Sequence, residues 1–192
     1  MALLTGSNKI KTAVFISGTG SNLKSLIQFS KLKKSPIVIE MIISNNAKSK
    51  GLQYAKVYKI KKKVFDFKNN SSEKKVIDEL KNNNINLICL AGFMKILSKS
   101  FIKNFKGKIL NIHPSLLPKY KGLNTHERAI RNKDKYSGCT VHFVNSKLDA
   151  GKIINQKKVR IGKLDTPKTL AKKILIQEHK LYPAAIMKIF SL

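Results

Sequence analysis

Ala13-Val14-Phe15-Ile16-Ser17-Gly18-Thr19-Gly20-Ser21-Asn22-Leu23 passes from a short apolar run into a glycine-rich turn, and Leu23, Leu26, Ile27 and Ser30 then recur at helical spacing. Strand, glycine turn and helix in that order open an α/β fold. Residues 37–43 form a second, β-branched apolar run that ends at Ser44-Asn45-Asn46. The pattern predicts a helix over 47–57, a short apolar-basic strand near 58–60 and a helix over 71–83, where Val76, Ile77 and Leu80 share a face behind a weak Ser72 start. Residues 85–90 are again continuously apolar and close on Ala91-Gly92. Continuous apolar strands alternating with amphipathic helices predict a parallel sheet covered on both faces.

The second half reads differently. Ile109-Leu110-Asn111-Ile112 is a strand that runs into a proline-rich loop, His113-Pro114-Ser115-Leu116-Leu117-Pro118. A short helix is predicted over 124–132. Cys139, Val141 and Phe143 alternate with Thr140 and His142, the period of a half-exposed strand, and residues 152–161 are its expected antiparallel partner across Asp149-Ala150-Gly151. Asp165-Thr166-Pro167 begins a final helix, with Asp165 or Thr166 as cap and proline in the first turn. One domain over residues 12–192 is expected, behind a loose polar leader at 1–11.

The chain has 192 residues, and hydrophobic types make up 42%, enough for a core. No apolar run approaches the ~18–20 residues of a membrane-spanning helix. The first eleven residues lack the apolar stretch of a secretory signal. Cys89 and Cys139 are too few and too far apart for a disulfide framework or a cysteine-rich zinc site, and no ligand-spaced cluster predicts a metal. A cytoplasmic location and no membrane partner are therefore expected. The net charge of +29 is the outlier. It would suggest nucleic acid, yet of 39 basic residues only Arg128, Arg131 and Arg160 are arginine, the type suited to bidentate phosphate and base contacts. The lysines are scattered and Trp is absent, so no stacking platform is evident. A solvated lysine surface with no specific nucleic-acid partner is the expectation, with electrostatic steering of anionic substrates as the alternative.

In parallel α/β sheets ligands bind beyond the carboxyl ends of the strands, where the Ser17–Asn22 loop lies. Glycines allow close backbone approach, and N–H groups at a helix start favour an anion. The loop lacks the third glycine of a dinucleotide fingerprint and the Gly-Lys-Ser/Thr of a P-loop. A monophosphate site and an ordinary βα turn capped by Ser21 or Asn22 both fit it. Asn111 and His113 are two apart on one strand, so their side chains point the same way. An amide to hold an oxyanion and an imidazole to move protons are a minimal set for acyl transfer. Asp149 could orient the imidazole or raise its pKa. A single histidine near a strand end is more often structural, as His126, His142 and His179 illustrate.

Six stretches together resemble the folate-dependent formyltransferases that use 10-formyltetrahydrofolate. They are Ile16-Ser17-Gly18-Thr19-Gly20-Ser21-Asn22-Leu23, Leu90-Ala91-Gly92-Phe93-Met94-Lys95-Ile96-Leu97, Leu110-Asn111-Ile112-His113-Pro114-Ser115-Leu116-Leu117-Pro118, Thr140-Val141-His142-Phe143-Val144, Leu148-Asp149-Ala150-Gly151 and Gln177-Glu178-His179. They keep the family's order and cover nearly the whole chain beyond the leader. The resemblance implies a Rossmann-like, mostly parallel twisted sheet with an antiparallel C-terminal extension. It implies formyl transfer from 10-formyltetrahydrofolate to the amine of glycinamide ribonucleotide in purine synthesis, by direct attack through a tetrahedral intermediate and without a metal. It further implies that Gly20, Ser21 and Asn22 hold the phosphate side of the ribonucleotide and that Glu178 meets its ribose hydroxyls. Met94, Lys95, Ile96 and Leu97 would line the pterin pocket. Asn111 would contact the formyl oxygen, His113 would be the general acid/base, and Asp149 would raise its pKa. Residues 12–110 would bind the phosphoribosyl substrate and 111–192 would complete the folate and catalytic site. A monomer or homodimer is expected.

The chain departs from the family pattern in places. Ala150 stands where a second glycine is usual, and Lys121 and Asn124 stand where Pro and His are common. The folate-contacting arginine has no counterpart beyond Lys68 or Asn69 nearby. Among relatives, formyltetrahydrofolate hydrolases carry an extra N-terminal domain and methionyl-tRNA formyltransferases a C-terminal RNA-binding one. Eleven leader residues and an end at Leu192 are expected to leave room for neither. A non-catalytic basic module that binds nucleotides or RNA is the remaining alternative.

Overall fold

Seven strands alternate with six helices in a computed structural model that describes residues 9–190. In chain order they are β1 (Ile10–Ile16), α1 (Ser21–Ser30), β2 (Ile37–Ser44), α2 (Gln53–Tyr58), β3 (Lys61–Val64), α3 (Asn70–Asn82) and β4 (Leu87–Leu90). There follow α4 (Lys99–Asn104), β5 (Lys108–His113), α5 (Thr125–Arg131), β6 (Tyr136–Phe143), β7 (Ile153–Arg160) and α6 (Pro167–Phe190). The strands form one sheet in the order β3-β2-β1-β4-β5-β6-β7. β3 through β5 are parallel, and β6 and β7 add to that edge antiparallel. This is the mostly parallel, Rossmann-like sheet with an antiparallel C-terminal extension that the sequence predicts.

Strand periodicity explains why both faces are covered. Along β1, Val14 and Ile16 enter a core with Leu23, Leu26 and Ile27 of α1, Ala129 of α5 and Leu170, Ile174 and Tyr182 of α6. Ala13 and Phe15 enter the opposite core, with Val76 and Leu80 of α3 and Phe101 of α4. Alternate residues thus face opposite layers, which demands apolar types at every position of a central strand. β1 takes in Ile10 and Lys11, which the sequence reading assigns to the leader. Of the rest of that leader, Lys9 is described and residues 1–8 lie outside the described residues.

The local differences from expectation have physical causes. The helix expected from residue 47 is delayed, because Asn46 first closes a turn in which its Oδ1 accepts from Lys48 N at 2.9 Å. A 3-10 turn at Lys50–Leu52 then leads into α2, which stops at Lys59 in the left-handed region, φ 55°. The strand expected at 58–60 lies instead at Lys61–Val64, whose four residues are all exposed. It pairs through its backbone with Met41–Ser44, so no apolar pattern marks it. Asn69, not Ser72 alone, starts α3: its side chain accepts from Ser72 N at 2.9 Å in a reciprocal capping box. The short α4, capped by Ser98, has no counterpart in the sequence reading.

Candidate functional site

The chemistry-bearing residues gather where β1, β4 and β5 end. At the first of these, Gly20 is the N-cap of α1 with φ 75° and no side-chain cap bond, so neither Ser21 nor Asn22 caps the helix. The N–H groups of the first turn are left to an external acceptor. A Cβ on Gly20 would lie 2.7 Å from Gly51 Cα, so glycine is required at this crossing for space as well as for φ. Gly18 O accepts from Gly51 N at 3.0 Å and from Ser49 Oγ at 2.6 Å, which holds the loop from behind.

Asn22 and Glu178 are 156 residues apart and meet here, Asn22 Nδ2 donating to Glu178 Oε2 at 2.7 Å. Both are buried, and Asn22 Oδ1 has no partner. Burial pushes the Glu178 carboxyl up, and the Asn22 bond only partly offsets it. Pro183 explains how α6 docks at this point. It lies inside α6 and has no N–H, so the carbonyl of His179, four residues back, loses its helical donor. Ser25 Oγ of α1 donates to that carbonyl at 2.9 Å. The residue that interrupts the α6 ladder thereby pins α1 to α6 beside Glu178.

The loop after β4 is fastened to the glycine loop. Ser17 N donates to Gly92 O at 3.1 Å, and Met94 N donates to Ser17 Oγ at 2.7 Å. Met94 is 67% and Ile96 76% exposed, and Lys95 is exposed between them. Leu97 is buried in the α3–α4 core. Two apolar side chains are thus held open to solvent beside the glycine loop. Of the substitutes for the missing arginine, Asn69 is used as the α3 cap and Lys68 is exposed beside Asp66 at 4.0 Å.

The third cluster lies on β5 and the loop joining β6 to β7. Asn111 and His113 share a face of β5, opposite His142 and Thr140 of β6. Asp149 reaches over them from a turn whose positive φ, 45°, falls on Asp149 itself. Ala150, in place of the usual glycine, is exposed, and its carbonyl accepts from Asn145 Nδ2 at 3.2 Å. Asp149 Oδ2 lies 3.4 Å from His113 Nδ1, with side chains 8% and 7% exposed, and also accepts from Gly122 N at 2.8 Å. Asp149 Oδ1 lies 3.5 Å from Asn111 Nδ2. Asn111, His113 and Asp149, named from sequence, therefore form one cluster.

Protons can be assigned from partners. His142 Nδ1 faces the Phe143 carbonyl at 2.8 Å and must donate to it. In the neutral ring Nε2 then offers a lone pair to Asn111 Nδ2 at 3.2 Å, and in the protonated ring it is a donor 3.7 Å from Asp149 Oδ1. The reversed Asn111 amide would set its oxygen against the Asp149 carboxylate, so His142 and Asp149 together fix which way the amide points. His113 faces an acceptor at each end, because its Nε2 lies 2.8 Å from the Tyr120 carbonyl. The shorter contact places the proton of a neutral ring on Nε2. Burial holds His113 below the usual imidazole range, although the Tyr120 carbonyl and Asp149 both pull upward. The upward pull expected of Asp149 is present, but burial outweighs it. For Asp149 itself burial pushes up, and His142, the Gly122 N–H and His113 together hold the carboxyl below its ordinary value.

The sequence reading treats His142 as an ordinary histidine. The alternation Cys139, Val141, Phe143 against Thr140, His142 carries the signal, since it puts His142 on the polar face. Nothing local marks the Tyr120 carbonyl or Gly122 N–H, which are main-chain groups. Both cysteines are buried, their thiols pushed up to about 12 chiefly by burial. Among the described residues, no helix is long and apolar enough to cross a membrane.

The formyl transferase family profile matches residues 10–186. Phosphoribosylglycinamide formyltransferase of Haemophilus influenzae is 46% identical over 180 residues, covering 92% of this chain and 85% of that protein. The chicken trifunctional purine biosynthetic protein adenosine-3 is 44% identical over 192 residues, 96% of this chain but 19% of that protein. The chain thus spans about a fifth of the trifunctional animal relatives it matches. The crystal structure of phosphoribosylglycinamide formyltransferase from Brucella melitensis superposes with TM-score 0.90 at 40% identity, covering 96% of this chain and 97% of that one. A family profile matching residues 10–186, and a relative 46% identical that is covered over 85% of its length, show that the chain belongs to the formyl transferase family.

Proposed function

We propose that the chain transfers the formyl group of 10-formyltetrahydrofolate to the amine of glycinamide ribonucleotide, by direct attack through a tetrahedral intermediate. The observation that carries this reading is that Asp149 meets both His113, at 3.4 Å, and Asn111, at 3.5 Å. The folate, as substrate, supplies a formyl carbon open to addition by an amine. Asn111 Nδ2 then exchanges its long contact with Asp149 for the oxygen on which negative charge develops. His113, protonated on both nitrogens, keeps Nδ1–H toward Asp149 and turns Nε2–H from the Tyr120 carbonyl to the folate nitrogen, which takes that proton as its bond to the formyl carbon breaks, and the proton lost by the attacking amine returns to Nε2. Asp149 remains ionised and holds the charged ring. Gly20, Ser21 and Asn22 take the phosphate at the α1 start, Glu178 the ribose hydroxyls, and the 94–97 loop the pterin. In this division of labour residues 12–110 hold the phosphoribosyl group and 111–192 complete the folate and catalytic site. No metal is required for these steps.

The test is a spectrophotometric assay with a 10-formylfolate donor, run with and without glycinamide ribonucleotide. Folate product is expected only with the ribonucleotide, and His113→Ala is expected to lower turnover by roughly 10²–10⁴ while the protein stays folded. Product without the ribonucleotide would make the chain a hydrolase. No product in either case would overturn the reading, and charged methionyl-tRNA would be the next acceptor to try.

A further inference from the structure

The loop after β5 returns to His113 through Tyr120, and it is held there by a network the reaction scheme does not use. Tyr120 adopts φ 56°, a backbone region unfavourable for an L side chain, and Gly122 and Asn124 follow at 75° and 57°. Three left-handed residues within five do not persist without support. The support converges on the Tyr120 side chain. Its hydroxyl donates to Asp134 Oδ2 at 2.8 Å and accepts from Asn132 Nδ2 at 2.8 Å. Lys119 Nζ contacts both Asp134 oxygens at 2.7 Å. Arg128 lies 4.9 Å and Lys119 5.1 Å from the Tyr120 ring centre. Arg128 Nη1 also donates to Lys121 O at 2.7 Å, and Ser115 Oγ to Lys119 O at 2.6 Å. The main-chain products of this arrangement are two contacts on the catalytic pair: Tyr120 O on His113 Nε2 and Gly122 N on Asp149 Oδ2, both 2.8 Å.

We propose that Tyr120 and Asp134 are positioning residues for the formyl-transfer step, locking the 119–124 loop so that its carbonyl keeps His113 Nε2 protonated and the ring aligned on Asp149. This rests on the function proposed above. The Tyr120 carbonyl at Nε2 and Asp149 at Nδ1 hold the ring from both ends, so it is not free to flip. Around His113 the charged and titratable groups are Asp149 from the β6–β7 loop, His142 of β6, and Arg128 and His126 of α5. Of these only Asp149 assists protonation, and the Tyr120 carbonyl is the other group that does so. Loss of the lock should therefore lower the His113 titration midpoint and mix its tautomers.

Tyr120→Phe and Asp134→Ala test this, with Asp134→Asn as the conservative variant that still offers the Tyr120 hydroxyl an acceptor. The first readout is ring ¹⁵N and ¹H NMR titration of the histidines in the free protein, which needs no activity. The His113 midpoint is expected to fall and the Nε2–H pattern to become mixed in Tyr120→Phe and Asp134→Ala, with Asp134→Asn close to wild type. The second is kinetics: kcat is expected to fall by roughly tenfold to a hundredfold with both KM values within about twofold, and the alkaline limb of the pH profile to move down. Tyr120→Phe keeps the ring between its two cations, so it carries the test if Asp134→Ala does not fold. A folded Tyr120→Phe with wild-type His113 titration, Nε2–H pattern and pH profile would overturn the proposal. Wild-type protein inactive in formyl transfer would instead overturn the function on which it rests, whatever the NMR shows.

Discussion

His113 has acceptors on both ring nitrogens and is nevertheless held below the usual imidazole range, because burial outweighs the Tyr120 carbonyl and Asp149. Its acid form is thus scarce in the free protein at neutral pH. A reaction that needs this acid form loses rate as pH rises. Asp149→Asn removes an upward pull, so the alkaline limb of kcat/KM should move to lower pH and the His113 NMR midpoint should fall with it. An unchanged midpoint would separate Asp149 from the titration of His113. Glu178 presents the opposite case, a carboxyl raised by burial. Its folded pKa exceeds its unfolded one, so the unfolded chain binds fewer protons between the two values and stability falls as pH rises through that window. Glu178→Gln removes the ionisation. It should raise the melting temperature at pH 7, with the gain shrinking as pH falls toward the unfolded carboxylate value of ~4.3. Melts of both proteins at pH 7 and near pH 4.5 check this, and a gain that persists in acid would assign it to packing.

At the scale of elements, α1 and α6 are joined at the point where α6 lacks a ladder bond. Pro183 leaves the His179 carbonyl without its helical donor, and Ser25 supplies a replacement. Ser25→Ala should cost about 0.5–1.5 kcal/mol, the net contribution of one intramolecular hydrogen bond at a partly buried site. It should also weaken ribonucleotide binding, since Asn22 and Glu178 lie on the two elements it joins. Thermal melts and ligand titration measure the two effects, and a loss of stability with binding intact would show that the Asn22–Glu178 contact holds without Ser25. Tyr182 makes a comparable tie beneath the sheet, its hydroxyl lying 3.2 Å from Leu90 O and 3.0 Å from Leu110 O. The end of β4, before the 91–97 loop, and the middle of β5, beside Asn111, are thereby held to α6.

Across the whole molecule, 39 basic residues oppose 10 acidic ones. The salt bridges among described residues engage only a few lysines: Lys63 with Glu79, Lys68 with Asp66, Lys119 with Asp134 and Lys173 with Asp165. A charge this far from zero repels itself in the compact state. The melting temperature should therefore rise as sodium chloride is increased from about 20 to about 300 mM, where the screening length falls below ~10 Å. A flat response would mean that the lysines are too dispersed to repel. One lysine run has a local consequence: Lys61, Lys62 and Lys63 form most of the edge strand β3, and charged edges discourage strand addition from another chain.

The α/β class, a strand over 37–43, a short helix over 124–132 and the common face of Asn111 and His113 were legible in the sequence, because each depends on neighbours within one segment. β3 was displaced and α4 absent in the sequence reading because a lysine-rich edge strand pairs through backbone groups, and a six-residue helix offers too few turns for a period. Residue types pointed to Asn111, His113 and Asp149, but whether Asp149 met His113 depended on how the β6–β7 turn folds back over β5. The contact of Asn22 with Glu178, the use of His142 to orient Asn111 and the Tyr120 carbonyl on His113 were likewise decided by packing. Local patterns are set by neighbours along the chain, whereas these contacts join distant segments or main-chain groups. Their distances, and the burial that turned His113 downward, exist only once the two layers have closed on the sheet.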